Sequence, residues 1–170
     1  MSILEIIKYG SPILTKKAET IKYIDKDIED LAQKMIQTMW AAPGIGLSAP
    51  QVNRSTSLIT VDLSLGENKN DLFILINPEL LNKEGEIIQE ESCLSIPEIQ
   101  EKVIRPYRVV IKGIDLRGKE KIIEAEEILA RVFCHEIDHI NGKLFIDHLS
   151  LLKKNLIKKK LKKMIEKREL

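Results

Sequence analysis

The chain has 170 residues, of which 44% are hydrophobic and 31% are charged, and its formal net charge is +1. This length suits one domain with its own core. No apolar run approaches the roughly 20 residues that a membrane-spanning helix needs, and the first residues predict neither a signal peptide nor a transit peptide. Because Cys93 and Cys134 are too few for a disulfide framework, we expect a cytoplasmic protein.

The charge is divided unevenly along the chain. Residues 153–170 carry nine basic and two acidic side chains, whereas residues 1–152 carry 18 basic and 24 acidic ones. Such an asymmetry indicates contact with a nucleic acid or a membrane surface. The basic segment lacks the Trp and Phe that are typical of helices lying on membranes, so a membrane is the weaker alternative.

The first predicted helix covers residues 26–41, where apolar side chains recur at helical spacing after Asp25, the expected N-cap. Short strand-like runs follow at residues 57–63, 72–76, 85–89, 108–111 and 119–123. Only one helix-length segment separates the last run from the basic segment, so repeated βαβ units do not fit. The pattern predicts an α+β fold with mostly antiparallel sheets and segregated helices.

Two further helices are predicted in the C-terminal half. Residues 124–141 form a helix with a wide apolar surface, and Gly142 follows it as the expected C-terminal cap. The third helix is amphipathic, with lysines opposite apolar residues at Leu149, Leu152, Leu156, Ile157, Leu161, Met164 and Ile165. We expect its apolar face to pack on the body, so that residues 151–170 extend the domain formed by residues 1–150.

The second helix carries the sequence HEIDH at residues 135–139. On a helix, His135 and His139 lie about 40° apart, one turn from each other, which suits two ligands of one metal ion. Glu136 lies within reach of a water molecule at that ion without ligating it. Neither Phe145, at the position of a metzincin's third histidine, nor the lysine-rich segment supplies a third ligand. Cys93 is the best remaining candidate.

Two other interpretations of this motif stay open. His135 and His139 alone fit a zinc endopeptidase, which would cleave internal peptide bonds. A closed structural metal site with a polyanion-binding C-terminal segment is the other alternative. It would need a fourth protein ligand, and the sequence offers none that is well placed.

Three segments together resemble the peptide deformylases, which remove the N-formyl group from nascent polypeptides. They are GIGLSAPQ at residues 44–51, ESCLS at 91–95 and CHEIDH at 134–139. Their order and spacing agree with the family's G-x-G-L-A-A-x-Q, E-G-C-L-S and Q-H-E-x-D-H motifs. The resemblance covers residues 6–150 and implies antiparallel sheets packed around a central metal-binding helix.

The resemblance also implies the roles of individual residues. Cys93, His135 and His139 would hold one divalent metal ion, with Fe²⁺ first and Zn²⁺, Ni²⁺ or Co²⁺ as alternatives. Glu136 would take a proton from the attacking water and pass it to the leaving amine. The side chain of Gln51 and the backbone N–H of Leu94 would stabilise the oxyanion.

Substrate contacts are predicted from the helix spacing together with the same family resemblance. Ile128 and Val132, with Ile45, would wall a pocket for the methionine side chain, although a plain core role is an equal alternative for each. Arg131 would line the pocket mouth with its apolar stem while its charge stays in water. The peptide backbone would add as a strand between Gly44–Gly46 and the segment that ends in Ser92.

The chain departs from the family pattern at three positions. Ser48 replaces an alanine, and we expect little change there. Ser92 replaces a glycine, and we expect an extended backbone that tolerates serine. Cys134 replaces a glutamine, which changes the hydrogen bonding around the ligands without removing one.

Other expectations concern residues around the motif and the chain's partners. Asp138 is expected to form an ion pair with Arg105, and His148 to lie on the surface. The expected partners are formyl-Met nascent peptides and, through the basic segment, ribosomal RNA, with no membrane.

Overall fold

The computed structural model describes residues 2–170. In this part of the chain there are three α-helices, α1 (Lys26–Ala41), α2 (Glu127–Ile140) and α3 (Leu151–Glu166), and seven strands. The strands are β1 (Gly46–Ser48), β2 (Leu58–Asp62), β3 (Leu72–Glu84), β4 (Ile87–Cys93), β5 (Ile96–Arg105), β6 (Arg108–Ile114) and β7 (Glu120–Glu126). None of the helices in residues 2–170 is both long enough and apolar enough to cross a membrane.

The strands form two antiparallel sheets. The larger has the order β1-β2-β3-β6-β7, and the smaller is the β4–β5 hairpin. Helix α2 contacts β1, β2, β3, β6 and β7, so it runs across the larger sheet. The α+β prediction, with antiparallel sheets around a central helix and a C-terminal helix, is confirmed.

Strands β1 and β5 are absent from the sequence prediction. β1 is three residues long and is made of the small residues that usually signal a turn. In β5 the alternation of buried and exposed residues breaks at Glu98, whose φ is 69°, so Ile96 and Ile99 are buried three positions apart. A period-two search cannot find such a strand.

The helix signals are largely borne out. The Asp25 side chain accepts a hydrogen bond from the backbone N–H of Ile28 at 3.0 Å, as an N-cap does. Gly142 follows α2 with a φ of 74°, a conformation in which glycine is the least strained residue. Residues 124–126 belong to β7 rather than to α2, because they complete the pairing with β6.

Helix α2 is fixed by the apolar residues beneath it. Phe133 is fully buried, and its ring meets Phe73 of β3 edge-on with the ring centroids 5.3 Å apart. Ile137 and Val132 join the same core cluster as Val61 and other buried residues of the larger sheet. Because this packing anchors one face of α2, the face that bears the two histidines is held in a fixed direction.

Helix α3 packs through a narrower face than the sequence predicts. Ile157, Leu161 and Met164 are buried in a cluster with Leu14 and Phe145. By contrast, Leu152 and Leu156, which were expected on the packed face, are 71% and 59% exposed. The expected packing of the apolar face of α3 is therefore confirmed for Ile157, Leu161 and Met164, but Leu152 and Leu156 do not share it.

Candidate metal centre and active site

The predicted metal ligands meet where α2 passes the end of β4. Cys93 is the last residue of β4, and His135 and His139 face it from successive turns of α2. Their ligand atoms all lie within 4.8 Å of one another, and Cys93 Sγ is 3.3 Å from His139 Nε2. All three side chains are buried, and the structure brings together ligands that span 46 positions of the chain, from Cys93 to His139.

The orientation of His135 is set by Glu91. The carboxylate oxygen Oε2 of Glu91 is 2.7 Å from His135 Nδ1, which leaves Nε2 of the ring free to face the cysteine. Glu91 and Cys93 are alternate residues of β4, so both point to the same buried side of the strand. Glu91 lies in the ESCLS motif without a predicted role, although its place two residues before the cysteine is a signal for one.

Two buried arginines hold Glu91. Arg105 donates to both carboxylate oxygens, from Nε at 3.0 Å and from Nη2 at 2.6 Å. Arg131 donates from Nη1 to Oε1 at 2.8 Å. Burial alone would raise the pKa of Glu91, but hydrogen bonds from His135 and Arg105 outweigh it and hold the pKa well below its usual range. Glu91 is therefore a carboxylate that accepts the Nδ1 proton of His135.

The prediction for Arg131 is wrong in one respect. Its side chain borders the cavity described below, but the residue as a whole is 4% exposed, and its guanidinium is bound to Glu91 rather than to water. The helical wheel places Arg131 on the histidine face, but it cannot reveal that β4 supplies a buried acid there.

The predicted ion pair between Arg105 and Asp138 is confirmed at 2.6 Å, and the exposed His148 lies 2.7 Å from Asp138.

The ionisation state of Cys93, beside His135 and His139, favours binding of a metal ion by these three residues. Burial would raise the pKa of Cys93, but the His139 and His135 imidazoles outweigh it and hold the pKa well below its ordinary value. The thiolate is the form that binds metals. His139 Nδ1 is buried without a hydrogen-bond partner in residues 2–170. One thiolate and two imidazoles around a small space fit a divalent transition metal.

Glu136 lies beside the ligand cluster and opposite β1. Its side chain is 3% exposed, and Oε1 is buried without a hydrogen-bond partner among the described residues. Burial raises the pKa of Glu136 to about 7, which suits a group that accepts and returns a proton near neutral pH. A Cβ atom on Gly46 would lie 2.5 Å from Glu136 Oε2, so only glycine lets β1 approach this closely.

Gln51 is buried beside Cys93. Its Nε2 lies 3.6 Å from Cys93 Sγ and 3.2 Å from Ser95 Oγ. Its Oε1 accepts hydrogen bonds from the backbone N–H and the hydroxyl of Ser48, each at 3.0 Å. The serine at position 48 therefore gives Gln51 a hydrogen bond that an alanine would not, and the amide is oriented with its nitrogen toward the cysteine.

The other departures have simple structural accounts. Ser92 lies within β4 and has no positive φ, so the expected extended backbone is confirmed. Cys134 is 8% exposed and belongs to the core cluster under α2. Burial raises the pKa of its thiol to about 11, so it stays protonated.

A cavity of about 760 Å³ opens beside the ligand cluster. The predicted substrate-contacting residues all border it: Gly44, Ile45, Gly46, Ser92, Ile128, Arg131 and Val132. Gln51, Leu94, Cys93, His135 and Glu136 border the same space. The sequence missed Lys8, which also borders it and whose Nζ donates to the backbone oxygen of Leu94 at 3.0 Å.

Comparison with known proteins agrees with this geometry. The family model described as polypeptide deformylase matches residues 3–155. A peptide deformylase from Thermodesulfovibrio yellowstonii is 51% identical over 162 residues, which cover 95% of this chain and 98% of that protein.

Solved structures are similar over nearly the whole chain. A peptide deformylase from Legionella pneumophila has a TM-score of 0.90 and 36% identity, covering 99% of this chain and 98% of that one. A plant peptide deformylase has a TM-score of 0.91 and 32% identity, covering 99% and 92%. The chain therefore belongs to the peptide deformylase family, the metal-dependent hydrolases that remove the N-formyl group from nascent peptides.

Proposed function

We propose that Cys93, His135 and His139 hold the single divalent metal ion on which the deformylase reaction depends. The observation that carries this proposal is their convergence: three buried ligand atoms within 4.8 Å of one another. The donor set suits Fe²⁺, which we place first, and also Zn²⁺, Ni²⁺ and Co²⁺. When bound, such an ion lowers the pKa of water to about 7 and polarises the formyl carbonyl.

Glu136 is the proton carrier of the reaction in this proposal. It accepts a proton from the water that adds to the formyl carbon, and it returns the proton to the amine nitrogen when the C–N bond breaks. The products are formate and a peptide with a free amino group. Support comes from the buried position of Glu136, from its Oε1, which has no hydrogen-bond partner in residues 2–170, and from its raised pKa of about 7.

Two hydrogen-bond donors stabilise the negative charge on the formyl oxygen. They are Nε2 of Gln51 and the backbone N–H of Leu94, both of which belong to residues that border the cavity. Because Gln51 is buried and its Oε1 is held by Ser48, its amide needs little reorganisation. Such a donor typically contributes about 3 kcal/mol to transition-state stabilisation.

The substrate lies in the cavity beside α2. Ile45, Ile128 and Val132 contact the methionine side chain, and the stem of Arg131 completes the wall. The peptide backbone adds as a strand between Gly44–Gly46 and Ser92, since within residues 2–170 β1 is an edge strand and β4 pairs only with β5. Residues 1–150 supply this catalytic body, and residues 151–170 extend it.

The substrate assignment is tested by comparing formylated and free peptides. We expect formate release from a formyl-Met-Ala-Ser tripeptide, and no cleavage of internal bonds in the same sequence without the formyl group. The ligand set lacks the downstream third ligand of an endopeptidase, and the cavity is bordered by the deformylase motif residues. Internal cleavage without formate release would contradict the assignment and favour the endopeptidase alternative.

Gly46→Ala is expected to lower kcat/KM by about 10²-fold, the size of effect that a misplacement of about 1 Å produces. The added Cβ would lie 2.5 Å from Glu136 Oε2 and 2.8 Å from Val132 Cγ1, so both must shift. Steady-state formate release measures this loss, and the melting temperature reports any general damage. Unchanged kcat/KM would show that the approach of β1 to Glu136 is unimportant.

We further propose that the protein acts in the cytoplasm and that α3 contacts ribosomal RNA. The exposed side of α3 includes Lys159, Lys162 and Lys163, none of which forms an ion pair within the described chain. Lysines that neutralise phosphates give binding that weakens as salt rises. Deleting α3 would expose the core around Leu161, so charge reversal is the cleaner test.

The triple variant K159E/K162E/K163E is expected to lose cosedimentation with ribosomes at about 0.1 M salt. Its kcat/KM on the tripeptide should stay within about twofold of the parent. The matched control K22E/K69E/K119E makes the same charge change on exposed lysines elsewhere and should still cosediment. Equal loss in both variants, or in neither, would contradict a specific contact through α3.

A further inference from the structure

Arg131 connects the metal-ligand helix to both strands of the β4–β5 hairpin. Its Nη1 donates to Glu91, and its Nη2 donates to the backbone oxygens of Ile87 in β4 and Val103 in β5, both at 3.0 Å. The side chain is only 5% exposed. An arginine that is buried this deeply and bound to three different groups supports the structure of the site and does not lie at its solvent-exposed edge.

Glu91 accepts four hydrogen bonds, and Arg131 completes them. Oε1 accepts from Arg105 and Arg131, and Oε2 accepts from Arg105 and His135. Arg105 alone does not neutralise the Glu91 carboxylate, because it also forms an ion pair with Asp138 at 2.6 Å. With Arg131 present, two guanidinium groups face two carboxylates, and Glu91 keeps a fixed rotamer beneath His135.

The contact also joins the two elements that carry the ligands. Arg131 precedes His135 by four residues, so both project from the same face of α2 one turn apart. Glu91 precedes Cys93 by two residues, so both project from the same side of β4. The Arg131–Glu91 pair therefore holds the thiolate side and the imidazole side of the site at a fixed separation.

We propose that Arg131 is a positioning residue for the metal ligands. It acts through Glu91, which keeps the Nδ1 proton of His135 in place and directs Nε2 of that ring toward Cys93. Groups that hydrogen-bond to metal ligands typically change metal affinity by about 10–100-fold when they are removed. This inference rests on the proposed metal site.

The test compares Arg131→Met and Arg131→Lys with the parent protein. Arg131→Met is expected to raise the Kd for Ni²⁺, measured by chelator competition, by about 10–100-fold. Arg131→Lys keeps the charge but not the planar fork, so a smaller increase is expected. The matched control is Arg108→Lys, because Arg108 of β6 pairs with the exposed Glu124 of β7 in the larger sheet; its Kd should match the parent.

A purely structural role would give a different result. It would lower the melting temperatures of the metal-free and the Ni²⁺-loaded proteins equally, whereas a positioning role reduces the increment that the metal adds. A Kd for Arg131→Met within twofold of the parent overturns the proposal. If Arg131→Met does not fold, Arg131→Lys is judged by the same twofold limit. A parent protein that binds no Ni²⁺ would refute the proposed metal site instead.

A second arm tests whether the effect passes through Glu91. In a Glu91→Gln background, Arg131→Met should change the Kd by less than twofold, because the residue it acts through is already altered. A further tenfold loss in that background would overturn the proposal, since Arg131 would then act by another route.

Discussion

Replacing Glu136 with glutamine is expected to lower kcat for formate release by about 10²–10⁴-fold, the usual contribution of a positioned acid–base group. Glutamine has nearly the same shape but cannot accept the proton of water and return it to the amine. Glu136 does not belong to the ligand set, so bound metal should stay at the parent level. Formate release and metal content of the same preparation measure both quantities.

Glu127→Gln is the matched control for this experiment, because Glu127 is an exposed acid at the first turn of the same helix. Its kcat should stay close to that of the parent. Full turnover by the Glu136 variant would refute the proton-carrier role. Loss of metal together with activity would show instead that Glu136 supports the ligand set.

Replacing Cys93 with alanine is expected to remove the metal. The thiolate is one of three protein ligands, and its loss should weaken metal affinity by more than the roughly 10–100-fold that removal of an outer partner costs. The metal-dependent increase in melting temperature should disappear with it, because a ligand stabilises only the state that binds it. Metal content after exposure to a chelator, and melting with and without Ni²⁺, measure these effects.

Cys134→Ala provides the comparison for Cys93. Cys134 is buried in the core cluster under α2, and its pKa of about 11 keeps it a thiol. Its replacement should lower stability slightly and leave the metal content unchanged. Retention of the metal by the Cys93 variant, or its loss from the Cys134 variant, would contradict the assigned ligand set.

The elements that sequence predicts well are those with a strong local signal. Helix α1 begins after the Asp25 cap as predicted, and short apolar runs mark β2 at residues 58–59 and β6 at residues 109–111. Strand β5 escapes prediction because the positive φ of Glu98, inside the strand, shifts its burial pattern by one residue. Local periodicity thus gives the fold class, but not the second strand of the hairpin that carries Cys93.

The site shows the same division between local and distant information. One turn of helix places His135 beside His139, and the five-residue HEIDH motif is enough to predict this neighbourhood. The environment of Arg131 could not, because Glu91 and Val103 reach it from strands that are 40 and 28 positions away. The wrong expectation for the Arg131 charge arose from treating the helix face without its tertiary neighbours.

The most direct test of the account is a metal titration of the chelated protein, followed by formate release from formyl-Met-Ala-Ser. Adding Ni²⁺ under anaerobic conditions should raise the rate linearly until one ion is bound per chain, and the rate should then stay constant. The Cys93→Ala protein should show no such rise over the same range. Full activity before any metal is added, or a break at two ions per chain, would contradict a single metal held by Cys93, His135 and His139.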